Sequence, residues 1–172
     1  MPSIAIANHP ERNVIRAQLA QNIVLKEMVD GEREELEPHL LVVDCAKGES
    51  LLDQGVHEME QYFVLDGVLK RVVTNANAKE MILRFADEHD IETSYAAWRL
   101  NTPTPYSIVC LTKARVAKLP MPTWVAFMDR QFVEEVLLHV DDDQARSFAF
   151  DQTSGGLCHG SSPPSAWRRA VV

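Results

Sequence analysis

The sequence predicts a mainly β fold, an antiparallel β-roll flanked by helices, and three observations predict it. Apolar residues recur at three- and four-residue spacing near both ends of the first 140 residues, as they do on amphipathic helices. Between these ends runs a series of short segments with period-2 or continuous β character, separated by Gly, Asn and Pro turn chemistry. Strands do not alternate with helices, so they pair antiparallel in a sandwich or roll and not in a parallel sheet.

The first element is read from Val14, Ile15, Leu19, Ile23, Val24 and Met28, whose spacing predicts one amphipathic helix over Glu11 to Val29, stopped by Asp30-Gly31. A second short helix, around Glu32 to Leu36, ends at Pro38. Strands are then expected at Leu40 to Asp44, Ser50 to Leu52, Tyr62 to Leu65, Val68 to Val73, Met81 to Phe85, Ser107 to Leu111 and Arg115 to Leu119. Asp66-Gly67, between two apolar runs, reads as a hairpin turn, the strongest such signal in the chain. Pro122 suits the first turn of a further helix, whose stripe of Val125, Met128, Phe132, Val133, Val136 and Leu137 reaches His139 and is widened by Trp124 and Phe127. A face this broad buries against the roll or against a copy of itself. In the second case Val125, Met128, Phe132 and Val136 form a dimer helix.

Composition narrows the function. The 172 residues suffice for one core of about 100 to 150 residues with appendages. A formal charge of -8 has the wrong sign for a broad phosphate-neutralising surface. Cys45, Cys110 and Cys158 lie far apart, without a CxxC pair, which points to reduced thiols and a cytoplasmic protein. The amino terminus lacks a basic, apolar leader and no apolar run approaches about 18 residues, so neither export nor a membrane span is expected. Past Val140 the chain turns to Asp141-Asp142-Asp143 and then to Ser, Gly and Pro. The expected organisation is a roll with its helices over residues 1–140 and a flexible tail over 141–172.

Four blocks in order carry a family resemblance: Lys47-Gly48-Glu49-Ser50-Leu51-Leu52-Asp53-Gln54-Gly55, Tyr62-Phe63-Val64-Leu65-Asp66-Gly67-Val68-Leu69-Lys70, Ala78-Lys79-Glu80-Met81-Ile82-Leu83, and Asp90-Ile91. Over roughly Asn22 to His139 the chain resembles the cyclic-nucleotide-binding-domain-like sensor domain of Crp/Fnr transcription regulators. The resemblance implies a double-stranded β-helix, or jelly roll, with Gly48, Gly55 and Gly67 in tight turns needing positive φ or close backbone approach. It also implies a phosphate-binding cassette after Asp90, where ligand-binding members carry a Gly-Glu pair and a later Arg. Here Thr93-Ser94 stands for Gly-Glu and Thr104, between Pro103 and Pro105, stands for the Arg. Glu92 and Arg99 are the nearest residues for a shifted solution. A buried phosphate without its guanidinium loses about 2 to 5 kcal/mol, so ordinary cyclic AMP binding is not expected.

Thr93, Ser94, Tyr95, Trp98, Thr104 and Tyr106 instead make an amphipathic lining for a small uncharged or aromatic effector. The resemblance thus implies a homodimeric sensor with a degenerate cassette. DNA binding is expected only where a helix-turn-helix is supplied elsewhere, because residues 141–172 carry none of its pattern. In a competing reading the lining fills a vestigial cavity in a truncated regulator. In another, His57 and Glu60 belong to a cupin-like metal enzyme, although the paired His-x-His is missing. No cysteine precedes Cys45, the six histidines sit in no haem motif, and no nucleophile elbow, phosphate loop or HExxH helix occurs. No catalytic residue, cofactor or metal is therefore expected.

Overall fold

The computed structural model describes residues 2–130. Its elements are β1 (Ser3–Ala5), α1 (Arg12–Ala20), α2 (Asp30–Leu36), β2 (Leu41–Cys45), β3 (Ser50–Leu52), β4 (Glu60–Asp66) and β5 (Leu69–Thr74). They continue with β6 (Glu80–Ala86), β7 (Ile91–Glu92), α3 (Tyr95–Arg99), β8 (Ser107–Cys110), β9 (Ala114–Pro120) and α4 (121–130). A five-stranded sheet of order β1-β2-β9-β4-β7 faces a four-stranded sheet of order β3-β8-β5-β6, and every pairing is antiparallel. This is the β-roll predicted from the sequence.

The five-stranded sheet is buried on both faces. Val43, Tyr62, Val64 and Val116 point towards Leu69, Ile108 and Cys110 of the other sheet, and their neighbours Val42, Phe63, Leu65, Ala117 and Leu119 pack on the helices. Alternation of side chains along a strand sends successive residues to opposite cores, which is why Tyr62-Phe63-Val64-Leu65 is apolar without interruption. The helical layer is anchored by Trp124, whose ring meets Phe63 edge-on at 5.4 Å and stacks with Phe127 at 6.1 Å. Each such buried side chain contributes about 1.5 to 3 kcal/mol. Met121, Trp124, Phe127 and Met128 lie in this core with Val125 half-buried against it, so the described part of α4 packs on its own domain. Phe132 and Val136 lie outside the described residues, as does the segment 141–172.

Three local expectations are corrected. The helix expected over Glu11 to Val29 breaks after Ala20, because the buried Asn22 side chain accepts from the Val24 and Leu25 amides and donates to the carbonyls of His89 and Asp90. Such a side chain competes with the helix for its own backbone donors. Gly31 does not stop a helix; it lies inside the first turn of α2. Asp66-Gly67 does not close a hairpin, since β4 and β5 belong to different sheets and do not pair. Its glycine takes the chain across from one sheet to the other, beside the parallel crossing between β8 and β9, where the Leu111 amide donates to the Val68 carbonyl at 2.8 Å. Strands β1 and β7, three and two residues long, have too little pattern to be read in advance.

Gly48, Gly55 and Gly67 all have positive φ, as expected. At Gly67, with φ of 85°, a Cβ would also fall on the Lys113 carbonyl and the Ala114 Cα. Gly67→Ala is therefore expected to cost about 2 to 4 kcal/mol. Urea unfolding of the two proteins measures it, and equal midpoints would refute the crossing argument.

Candidate functional site

The segment from β7 to β8 builds the site. β7 brings in Glu92, only 2% exposed, and Thr93 and Ser94 follow before α3 begins at Tyr95. On the return the Thr104 backbone is pinned by two 2.8 Å hydrogen bonds, from its amide to the Val56 carbonyl and from the Gly55 amide to its own carbonyl. Its hydroxyl is hydrogen-bonded to Ser94 Oγ at 3.0 Å and to the Tyr106 carbonyl at 3.1 Å. The Tyr106 hydroxyl donates to the Thr93 carbonyl at 2.8 Å, and the Thr93 hydroxyl to the Glu60 carbonyl at 3.0 Å. These neutral bonds satisfy one another, which is what buried hydroxyls require.

Arg71 reaches into this network from β5. Its Nε donates to Glu92 Oε1 at 2.9 Å, its Nη2 is bonded to the same oxygen, and Nη2 also donates to the Thr93 carbonyl at 3.2 Å. The guanidinium lies 4.3 Å from the centre of the Tyr106 ring, within cation–π range. The Thr93 amide completes Glu92 Oε1 at 3.1 Å, while Oε2 makes no hydrogen bond and has Arg84 Nε 3.8 Å away. Arg84 stands at the same time 3.7 Å from Asp90. The pairing of β5 with β6 shifts register between Arg71 and Val72, the kind of irregularity that re-aims a side chain. Breaking a buried pair by removing one partner costs about 3 to 5 kcal/mol, so Arg71 and Glu92 constrain this end of the roll tightly.

The structure brings together Glu92, Thr93, Ser94, Thr104 and Tyr106 and separates the rest of the expected lining. Tyr95 and Trp98, with rings 5.9 Å apart, pack against the helical core. Arg99 is exposed at the last position of α3, so the shifted solution that would have used it as the cation is corrected. The cation in the site is Arg71, which the sequence reading did not single out. Its signal was a charged residue two positions from Leu69, on the same face of the strand as that buried side chain.

Two open clefts lie apart from this pair. One, of about 640 Å³, runs between α1 and α2. The other, of about 970 Å³, is bordered by Leu51, His57, Glu60, Tyr62, Trp98 and Lys118. Glu60 there is held by Lys118 Nζ at 2.8 Å and accepts from the Tyr62 hydroxyl at 3.2 Å, and among the described residues no three His, Cys, Asp or Glu converge as a metal site needs.

A family model for the cyclic nucleotide-binding domain matches residues 42–131. The chain belongs to the cyclic nucleotide-binding domain family. This domain has solved relatives of the same fold. The spoa0323 protein of Ruegeria pomeroyi DSS-3 is 21% identical with a TM-score of 0.60, over 70% of this chain and 53% of that one. The sensor domain of the transcriptional regulator DNR from Pseudomonas aeruginosa is 12% identical with a TM-score of 0.59, over 84% of this chain and 97% of that one. The regulatory subunit of a cAMP-independent protein kinase A from Trypanosoma brucei is 18% identical with a TM-score of 0.54, over 63% of this chain and 42% of that one. The domain thus spans about half the length of the Ruegeria protein. No curated protein matches it. The cupin alternative is set aside by the family membership.

Burial, and then the Glu60 carboxylate, push the Tyr62 hydroxyl far above the usual tyrosine range. The folded state therefore keeps a proton that the unfolded chain releases near pH 10, so this stabilisation is complete below about pH 10 and is lost as pH rises beyond it. Urea unfolding of Tyr62→Phe between pH 8 and about 11 is expected to show a shallower alkaline loss than wild type. Parallel curves would exclude Tyr62 as the cause.

Proposed function

We propose that this chain is the ligand-sensing regulatory domain of a Crp/Fnr-type transcription regulator whose phosphate cassette no longer serves cyclic nucleotides. One observation carries the reading: Thr104, in the place that the family gives to the phosphate-gripping arginine, spends its hydroxyl on Ser94 and on the Tyr106 carbonyl. Two short neutral side chains bonded to each other offer a phosphate neither charge nor free donors. Glu92, Thr93, Ser94, Thr104 and Tyr106 are the pocket residues of this reading, and it assigns no catalytic residue.

The relatives supply two parallels. The DNR sensor domain is matched over 97% of its length. The Trypanosoma subunit is described as cAMP-independent, and a triple mutant of it, with a threonine-to-arginine change among its substitutions, is bound to cAMP in the A site. In the present chain the effector pocket adjoins the sheet that carries α4, so occupancy shifts the balance between two packings of that helix. The regulator acts as a homodimer through Phe132 and Val136 of the expected stripe, since Val125 and Met128 pack on their own domain, with the sensor over residues 1–140 and a tail over 141–172. DNA contact requires a helix-turn-helix supplied elsewhere.

Titration calorimetry with cyclic AMP tests the cassette. Wild type is expected to bind none at millimolar ligand and Thr104→Arg to gain at least tenfold in affinity; micromolar binding by wild type would overturn the reading. Sedimentation tests the dimer: wild type is expected to run as a dimer and Phe132→Asp as a monomer.

A further inference from the structure

We infer that the pocket is a receptor for a planar cation, with the Arg71 guanidinium as its tethered occupant. The inference rests on reading this pocket as the effector site and adds the chemical class of the effector, a guanidinium or amidinium group on a small stem.

The groups that meet the Arg71 head are all of one kind. They are a buried carboxylate, a backbone carbonyl and the face of an aromatic ring: Glu92 Oε1, the Thr93 carbonyl 3.2 Å from Nη2, and Tyr106 4.3 Å below the guanidinium carbon. Together they accept two or more N–H donors in a plane and one positive charge, which is the recognition pattern of a guanidinium and not of a compact ammonium. A phosphate there would stand against a buried carboxylate, a like-charge contact in a poorly solvated place.

Local charge points the same way. Arg71 and Arg84 balance Glu92 and Asp90, so withdrawing Arg71 leaves the site with one net negative charge. With Arg71 in place, Arg84 stands 3.8 Å from Oε2 and makes no hydrogen bond to it. Arg71 is itself a side chain on a flexible stem whose backbone belongs to β5, so its head can leave without unmaking the strand. An incoming cation takes over bonds already arranged for it and frees the arginine. Relatives of this fold that hold a cyclic phosphate need the opposite sign of pocket, and the exchange of an arginine for Thr104 together with a buried Glu92 converts one into the other.

Chemical rescue tests the assignment on the full chain. Arg71→Ala is expected to melt roughly 5 °C or more below wild type. Methylguanidinium chloride in the low millimolar range, well below denaturing concentrations, is expected to restore at least half of that loss along a saturating curve, and methylammonium chloride at equal ionic strength to restore less than a fifth. Arg71→Ala/Glu92→Gln must not respond, because it lacks the carboxylate, and wild type must be stabilised only at higher methylguanidinium concentration, because the incoming cation has first to displace its own arginine; no response of wild type below denaturing concentrations overturns the inference. Arg71→Leu, which keeps the aliphatic bulk, carries the same titration where the alanine variant is poorly folded. A response of either single variant no greater than that of the double variant, or equal for the two cations, overturns the inference. That failure would leave the regulatory reading intact, whereas cyclic AMP binding by wild type would sink the degenerate cassette and leave the rescue unaffected.

Discussion

Everything else in the domain hangs on the two-sided burial of the five-stranded sheet. Its central strands β4 and β9 send Phe63, Leu65, Ala117 and Leu119 to the helices and Tyr62, Val64 and Val116 to the facing sheet, so one set of backbone hydrogen bonds serves two cores. A sheet loaded in this way cannot slip register by one residue without exchanging both cores at once. The crossings at Gly48 and Gly67 and the helical cover of α1 and α4 follow from it, because a second sheet and a helical layer must each reach a fixed face.

The site exploits that rigidity. Arg71 and Glu92 come from different sheets, and each carries backbone already fixed by pairing, so the ion pair joins the two walls of the roll at one end. Burying a charge pair gains little net stability over apolar packing but makes the loss of either partner expensive. Such a contact specifies an arrangement more than it strengthens one. Asn22 links the same region to the helices: it bonds the carbonyls of His89 and Asp90, just before β7, from the turn that ends α1. The candidate site therefore borders directly on the layer that contains α4.

Much of the fold was legible in the residues. The principal strands fall close to their expected positions, Gly48, Gly55 and Gly67 adopt the positive φ that their turns demanded, and Pro122 lies in the first turn of α4. What could not be read is non-local. Asp66-Gly67 has hairpin chemistry, but whether the strands after a turn pair with each other or with distant partners depends on which sheet is free to accept them. Asn22 looked like a helical position because its four hydrogen bonds go to amides and carbonyls that only the folded chain brings near. At the candidate site, Glu92, Thr93, Ser94, Thr104 and Tyr106 were grouped from their order along the chain and lie together in the fold, whereas Arg71 lies 21 residues before Glu92 and carried no motif.

By itself the sequence determined the class of fold, the family and the turn glycines, because each depends on residue type and short spacing. Tertiary structure decided how charge is arranged at the candidate site. Only the facing of two sheets brings a guanidinium from β5 onto a carboxylate at the end of β7 and over the ring of Tyr106, and charge at a site is a sum over neighbours in space, not over neighbours in sequence.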